Sequence, residues 1–280
     1  MDSLVSTEWL ASNLGATDLV LLDSSRHLPA AERDALAEFA AAHIPGARFF
    51  DLAALVDDTS DVPQALPRPE QLAIELARCG ARPTSRIVFY DDSAVKTAAR
   101  AWFLCHAHGL ANVAILDGGI AKWKAEGRAL ESGEPQIQRA QSFSLPAPDQ
   151  IRFKRDVMEN LDSCAEQVLD ARDAGRFTGT IVDTIHGQPT GHIPGSCNLP
   201  YGHLFREDGT YKSPDELRGA LADVGIHADR PVVTTCGSGV TACVLLFALH
   251  LIGREDTALY DGSWLDWGSD PATPKATVAP

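Results

Sequence analysis

The sequence predicts an α/β fold made of two tandem domains, each a mainly parallel sheet flanked by helices. Short apolar runs that end in a polar residue alternate with segments of helical period. This alternation is typical of a parallel sheet covered on both faces. In addition, landmarks of the first half return between 144 and 149 residues later. A chain of 280 residues has room for two domains of ~100–150 residues each.

The landmarks of the repeat also divide the chain. They are His-Ile-Pro-Gly at 43–46 and 192–195, Leu-Asp at 22–23 and 169–170, and Asp-Gly at 117–118 and 261–262. We therefore predict an N-terminal domain at 1–130 and a C-terminal domain at 151–280. Residues 131–150 are rich in Gly, Ser, Pro and Gln without a sustained period, which predicts a linker.

Each copy predicts its own series of elements. The first copy has strands at 19–23, 86–91 and 113–117, with helices at 29–42, 69–78 and 95–109. The second has strands at 168–170, 231–235 and 257–261, with helices at 214–224 and 240–252. Pro29, Pro69 and Pro214 stand at predicted helix starts, where proline costs no hydrogen bond.

Composition excludes several classes of function. A net charge of −14 argues against a nucleic-acid partner or an anionic membrane surface. No stretch approaches the ~20 apolar residues of a membrane span, and the first residues show no signal-peptide pattern, so we expect a soluble cytoplasmic protein. The six cysteines form no Cys-x-x-Cys pair or metal-ligand spacing. We therefore expect a reducing compartment, no metal and no organic cofactor.

One cysteine stands where a nucleophile is expected. Cys236 follows the apolar strand that ends at Thr235 and precedes a helix predicted from Val240. Backbone N–H groups and the positive end of a helix dipole favour a thiolate there. Gly237 and Gly239 are expected to let the loop curl around one sulfur with positive φ.

Only the second copy carries this cysteine. Aligning the two halves places Asp91 opposite Cys236, 145 residues away. Ligands of α/β sheets gather at the carboxyl ends of strands. We therefore expect the second domain to perform the chemistry and the first to support or cover it.

These residues resemble the two-domain sulfurtransferases of the rhodanese superfamily. The resemblance spans about residues 5–270 and includes the duplicated His-Ile-Pro-Gly, the duplicated Asp-Gly with a following tryptophan, and the single cysteine loop. It implies two tandem rhodanese-like domains. Cys-Gly-Ser-Gly-Val-Thr at 236–241 is similar to the mercaptopyruvate branch, whereas the thiosulfate branch usually carries two cationic residues in this loop.

The resemblance implies a ping-pong reaction through a covalent intermediate. The Cys236 thiolate would take sulfur from 3-mercaptopyruvate, pyruvate would leave, and a thiol, a thioredoxin-like protein or cyanide would accept the sulfur. Residues of the loop would hold the sulfur anion; they are Gly237, Gly239, Val240 and Thr241. Ser238 is the candidate for protonation of the leaving group.

The resemblance also implies a carboxylate-binding residue. Arg176 matches an arginine that binds the substrate carboxylate, for which a guanidinium offers two hydrogen bonds. Relatives usually have a second arginine, and this chain has Ile185 in that register, beside His186. His186 is therefore a further candidate site residue. The departure at Ile185 leaves the preferred sulfur donor open.

Three more positions can be compared with the residues that the family carries there. Asp57 matches an acidic residue that relatives are proposed to use in acid–base work with a histidine. Gln64 stands near where that histidine is often found, and an amide cannot titrate. Lys96 occupies a position where relatives often carry an aromatic residue, which makes Lys96 a candidate for the missing positive charge.

A reactive cysteine in such a loop is also typical of three alternative functions. The same cysteine would serve thiosulfate:cyanide transfer, and a non-catalytic persulfide carrier is compatible with the same residues. A phosphatase of the Cys-x5-Arg type needs an arginine six positions after its cysteine to clamp the phosphoryl group. That position is Ala242, so the phosphatase is excluded.

Overall fold

The computed structural model describes residues 1–62, 64–135 and 137–277. The chain forms two compact units. Unit 1 contains residues 1–57, 66–149 and 207–211, and unit 2 contains residues 58–65, 150–206 and 212–280. Each unit holds one five-stranded sheet whose neighbouring strands are all parallel. The predicted α/β fold class is confirmed.

Unit 1 has the sheet order β1-β5-β4-β2-β3. Its strands are β1 Leu4–Val5, β2 Leu19–Asp23, β3 Arg48–Phe49, β4 Arg86–Tyr90 and β5 Val113–Leu116. Its helices are α1 Thr7–Asn13, α2 Ala35–Ala41, α3 Pro69–Arg78, α4 Ala98–Ala107 and α5 Gly119–Ala125, with a 3₁₀ turn at Pro29–Ala31.

Unit 2 repeats this architecture with the order β6-β10-β9-β7-β8. Its strands are β6 Ile151–Arg152, β7 Gln167–Asp170, β8 Cys197–Asn198, β9 Val232–Thr235 and β10 Thr257–Tyr260. Its helices are α6 Lys154–Ser163, α7 Ala174–Thr178, α8 Pro214–Asp223, α9 Ala242–Leu251 and α10 Ser263–Ser269, with a 3₁₀ turn at Tyr201–Leu204.

The centre of unit 2 is apolar on every side. All four residues of β9 are buried, and α9 is buried at every position from Ala242 to Leu249. A helix that is apolar all round belongs in a protein interior. Trp264 and Trp267 of α10 pack in one core cluster with Val233 and Tyr260. The strand and helix that flank Cys236 are therefore held firmly by the core.

The predicted helix at 29–42 is wrong as a single element. Glu32 adopts a left-handed conformation with φ 51°, which ends the 3₁₀ turn. The Asp34 side chain then caps α2 by accepting a hydrogen bond from the Ala37 amide. The helices predicted from 95 and 240 begin at Ala98 and Ala242. No helix among residues 1–62, 64–135 and 137–277 is long and apolar enough to cross a bilayer.

Candidate active site

Cys236 lies between β9 and α9, at the carboxyl end of the central strand of unit 2. The start of α10 fixes its backbone from the other side. The Cys236 amide donates to Ser263 Oγ at 3.1 Å, and the Trp264 amide donates to the Cys236 carbonyl at 3.0 Å. The Leu265 amide donates to the Gly237 carbonyl at 2.8 Å. Three hydrogen bonds therefore fix the backbone of Cys236 and Gly237 against the start of α10.

The two glycines of the loop have different physical roles. Gly239 has a φ of 77°, the left-handed conformation that glycine adopts without strain. Gly237 does not have a positive φ, so the expectation that both glycines do is wrong. A Cβ atom on Gly237 would lie 2.1 Å from Cε1 of His186. The imidazole ring therefore leaves no room for a side chain at residue 237 while it keeps this position.

The loop offers donors for an anion. The backbone N–H groups of Gly237, Ser238, Val240 and Thr241 donate no hydrogen bond to any residue that the structure describes. They precede the first turn of α9, whose amides carry the positive end of the helix dipole. Amides that point away from any protein acceptor, at the start of a helix, form a binding place for an anion.

Unit 1 shows what the equivalent place holds in the other copy. Asp91 follows β4, and its Oδ2 accepts a hydrogen bond from the Ala98 amide at the start of α4, at 2.6 Å. Its Oδ1 accepts from the Ser93 amide at 3.3 Å. A carboxylate therefore binds the helix start in unit 1, whereas the thiol of Cys236 stands at this register in unit 2.

Burial by itself does not distinguish Cys236 from Cys79, Cys105 and Cys243, which are 0% exposed. Cys236 is 1% exposed, and Ser238, Val240 and Thr241 of its own loop are partly exposed around it. Burial raises the pKa of the Cys79 thiol to about 12, and it raises the pKa values of Cys105 and Cys197 above the ordinary range. What distinguishes Cys236 is its loop, which reaches the surface at Ser238, Val240 and Thr241.

Arg176 lies on α7, a short helix capped by Asp173. The Asp173 carboxylate accepts from the Arg176 amide at 2.9 Å and from its Nε. Arg176 Nη1 lies 3.7 Å from Oδ1 of Asp183, and the arginine side chain is 14% exposed. The guanidinium is therefore held by two carboxylates.

Asp183 was missed by sequence reasoning, and it organises the loop before the second His-Ile-Pro-Gly. Its Oδ1 accepts from the amides of Ile185 and His186 at 3.0 and 3.1 Å, and its Oδ2 lies 3.2 Å from Nδ1 of His186. Burial alone would raise the pKa of Asp183, but hydrogen bonds from His186 and the charges of His186 and Arg176 lower it to about 2. The only signal in the sequence is an aspartate three residues before a histidine.

The structure places His186 against Gly237 and links His186 to Arg176 through Asp183, all in unit 2. Asp57 belongs to unit 1, where it is ion-paired with Arg68. Lys96 also belongs to unit 1, in a left-handed conformation before α4. Ile185 is 46% exposed. Roles for Asp57 and Lys96 in catalysis stay predictions.

No group of three His, Cys, Asp or Glu side chains arranged for a metal occurs among the residues that the structure describes. The site is therefore built from one thiol, backbone amides, a guanidinium and an imidazole–carboxylate pair.

Fold and site together define a protein of the rhodanese family, and the chain belongs to it: the family model of the rhodanese-like domain matches residues 6–126 and 154–270. The resemblance drawn from the sequence is confirmed. The chain is 39% identical over 271 residues to mouse (Mus musculus) 3-mercaptopyruvate sulfurtransferase, covering 95% of this chain and 91% of the relative. It is 38% identical over 274 residues to chicken (Gallus gallus) thiosulfate sulfurtransferase, covering 95% and 93%.

A solved structure agrees with these relatives. The crystal structure of SseA from Escherichia coli, described with the 3-mercaptopyruvate sulfotransferases, superposes with a TM-score of 0.85 at 34% identity. The match covers 94% of this chain and 99% of SseA.

Proposed function

We propose that this protein transfers sulfur from 3-mercaptopyruvate to a thiol or to cyanide, through a persulfide on Cys236, with release of pyruvate. The observation that carries the proposal is the position of Cys236 at the end of β9, below loop amides and the start of α9. The Asp91 side chain, which accepts hydrogen bonds at the matching helix start in unit 1, supports a hydrogen-bond acceptor as the occupant of this register. The mercaptopyruvate sulfurtransferases among the relatives support the donor.

In the first half-reaction, the Cys236 thiolate attacks the donor's sulfur and becomes a persulfide. We assign the loop residues Gly237, Gly239, Val240 and Thr241 to binding of the sulfur anion. Arg176 is assigned to the donor's carboxylate, since its Nη2 makes no hydrogen bond to the residues that the structure describes, although Nε is bound by Asp173. In the second half-reaction, a thiol attacks the outer sulfur and the thiolate is restored.

Thiosulfate is the second candidate donor. The chain has the exposed Ile185 where a second arginine would stand, so the carboxylate of mercaptopyruvate loses one contact. A thiosulfate sulfurtransferase is also among the similar proteins. The lack of cationic side chains at residues 237–241 favours mercaptopyruvate, because a dianion such as thiosulfate gains more from nearby cations.

The proposal also includes a sulfur acceptor and a cellular location for the protein. A thioredoxin-like protein is a suitable acceptor because its reactive thiol is ionised near neutral pH. A cytoplasmic location is proposed because free cysteines persist in reducing compartments, and Cys164 is an exposed free thiol.

The central test is Cys236→Ser. We expect it to abolish pyruvate release and persulfide formation because a serine hydroxyl remains protonated at neutral pH. Cys164→Ser, which changes an exposed cysteine of the same unit, should retain full activity. Turnover with mercaptopyruvate and with thiosulfate, together with mass spectrometry of the loaded protein, provides the measurement.

The same panel separates the alternatives. Faster turnover with thiosulfate would replace the proposed donor. Stoichiometric loading without steady-state release of pyruvate would indicate a persulfide carrier. Sulfur transfer that persists in Cys236→Ser would contradict the assignment of the nucleophile.

A further inference from the structure

An imidazole ring lies directly against the cysteine loop. The His186 ring is so near Gly237 that a Cβ atom there would lie 2.1 Å from Cε1 and 2.8 Å from each ring nitrogen. The ring is held there by the turn at Asp183, whose Oδ1 accepts from the His186 amide and whose Oδ2 faces His186 Nδ1. A titratable side chain is therefore fixed beside the residue that follows the nucleophile.

The pairing with Asp183 decides which ring nitrogen is available. Asp183 is 1% exposed, and it remains a carboxylate, because hydrogen bonds and neighbouring cations hold its pKa at about 2. An ionised carboxylate only accepts hydrogen bonds, so His186 Nδ1 carries a proton. Nε2 makes no hydrogen bond to the described residues, and the side chain is 15% exposed. An aspartate that orients a histidine in this way suits proton transfer at Nε2.

The donor half-reaction requires a proton on carbon. When the C–S bond of mercaptopyruvate breaks, its electron pair remains on the methylene carbon and gives the enolate of pyruvate. The Ser238 hydroxyl makes no hydrogen bond to a base among the described residues. A serine alcohol is a weak acid, whereas an imidazole exchanges protons near neutral pH. His186 fits the requirement better than Ser238.

Arg176 and His186 share a carboxylate partner. Its Nη1 lies 3.7 Å from Asp183 Oδ1, while His186 Nδ1 lies 3.2 Å from Asp183 Oδ2. One buried carboxylate thus holds the guanidinium and the imidazole side by side. A donor whose carboxylate binds Arg176 would have its reacting carbon near the imidazole.

We propose that His186, oriented by Asp183, is the proton-transfer residue of the sulfurtransferase reaction; the inference rests on the proposed function. Cys236 Sγ forms a bond to the donor's sulfur as the C–S bond breaks, and His186 Nε2–H protonates the carbon to give pyruvate. Neutral His186 then takes the proton of the acceptor thiol. The acceptor's sulfur binds the outer sulfur, the S–S bond to Cys236 breaks, and its electron pair returns to Sγ.

A comparison of mercaptopyruvate with thiosulfate distinguishes proton transfer by His186 from a binding or structural role. Sulfite, which leaves thiosulfate, is a stable anion that needs no proton on carbon. His186→Gln should therefore lower single-turnover pyruvate release about 100-fold, the usual range for loss of a general acid. Persulfide loading from thiosulfate should change less than about twofold, within the ordinary effect of a neutral substitution. Added imidazole should partly restore pyruvate release to His186→Ala.

His227→Gln is the matched control, since His227 is an exposed histidine of unit 2 near the start of β7. It should match the native chain with both donors. Equal losses with both donors in His186→Gln would indicate a binding or structural role and overturn the inference, as would no loss. A native chain that loads from thiosulfate but never releases pyruvate from mercaptopyruvate would instead refute the proposed function, and the inference with it.

Discussion

Two aspartates at equivalent strand ends have different neighbours. Asp23 ends β2 and Asp170 ends β7, and each accepts a hydrogen bond from the amide two residues later at 2.9 Å. After Asp170 that residue is Arg172, which forms a buried ion pair with it at 2.7 Å and stacks on Trp264 at 4.5 Å. After Asp23 it is Ser25. Burial raises the pKa of Asp23 to about 6, although hydrogen bonds oppose the shift.

This difference predicts a pH-dependent stability. The folded chain holds the Asp23 proton more tightly than the unfolded chain, whose ordinary pKa is 3.8. The free energy of unfolding therefore falls as pH rises from about 4 through about 6, by at most about 3 kcal/mol from this group. Asp23→Asn removes that loss. Its stability relative to the native chain should rise by about 2–3 kcal/mol between pH 4.5 and pH 8 in denaturant titrations.

Asp170→Asn provides the comparison at the matching position. It leaves the buried Arg172 without its counter-ion and should cost about 3–5 kcal/mol at both pH values. A stability difference between Asp23→Asn and the native chain that is the same at pH 4.5 and pH 8 would contradict the raised pKa of Asp23.

At the scale of elements, the sequence predicted the central strands and the helices α3, α4, α8 and α9 because their apolar periods span four or more residues. It missed α6, which is just as long but largely polar, with Val157 as its buried residue. The edge strands β1, β3, β6 and β8 contain two residues each, too few to show a period. The helix predicted at 29–42 divides because the left-handed Glu32 interrupts a sequence of good helix formers. Local propensity carries no information about such a backbone reversal.

The candidate site was predictable from the sequence only in part. Cys236 and Arg176 follow from a strand–loop–helix pattern and a matched motif. Ser263, which accepts from the Cys236 amide 27 residues away, does not, because a side-chain contact across that distance leaves no spacing rule. The contact of His186 with Gly237 likewise depends on how two loops meet, and the glycine there was misread as a need for positive φ.

The contact between the loops of His186 and Gly237 leads to a prediction about stability. Because Gly237 has an ordinary φ, Gly237→Ala causes no backbone strain, and the three nearest atoms that its Cβ would meet belong to the His186 ring. We expect a loss of about 1–3 kcal/mol in the free energy of unfolding, as for an overpacked interior site. The displaced ring should also slow pyruvate release. Gly219→Ala, in an open position on α8, should be neutral or stabilising by up to about 1 kcal/mol.

A double variant checks the cause. Gly237→Ala with His186→Ala should recover most of the stability, since the clash is gone, but none of the pyruvate release. Additive losses of stability in the double variant would mean that the ring is not what Gly237 accommodates.

At the scale of the whole molecule, the net charge opposes the substrates. The chain carries −14 at pH 7, and both candidate donors are anions. Near the site, Arg176 is already paired with Asp173 and lies 3.7 Å from Asp183. The local cation is therefore largely balanced, so it does not cancel the repulsion that an approaching donor meets from the rest of the chain.

Ionic strength should therefore raise donor efficiency. The Debye length falls from about 30 Å at 0.01 M salt to about 10 Å at 0.1 M, which screens the distant negative charges more than a contact pair. We expect kcat/KM for mercaptopyruvate to rise about two- to fivefold over this range, at the low end of electrostatic effects on association. A neutral thiol acceptor should show no change in KM. Ile185→Arg adds an exposed cation beside His186 and should flatten the rise. If kcat/KM of the native chain instead falls with salt, attraction by local cations outweighs the field of the whole molecule, and Arg176 is less neutralised than its carboxylate partners indicate.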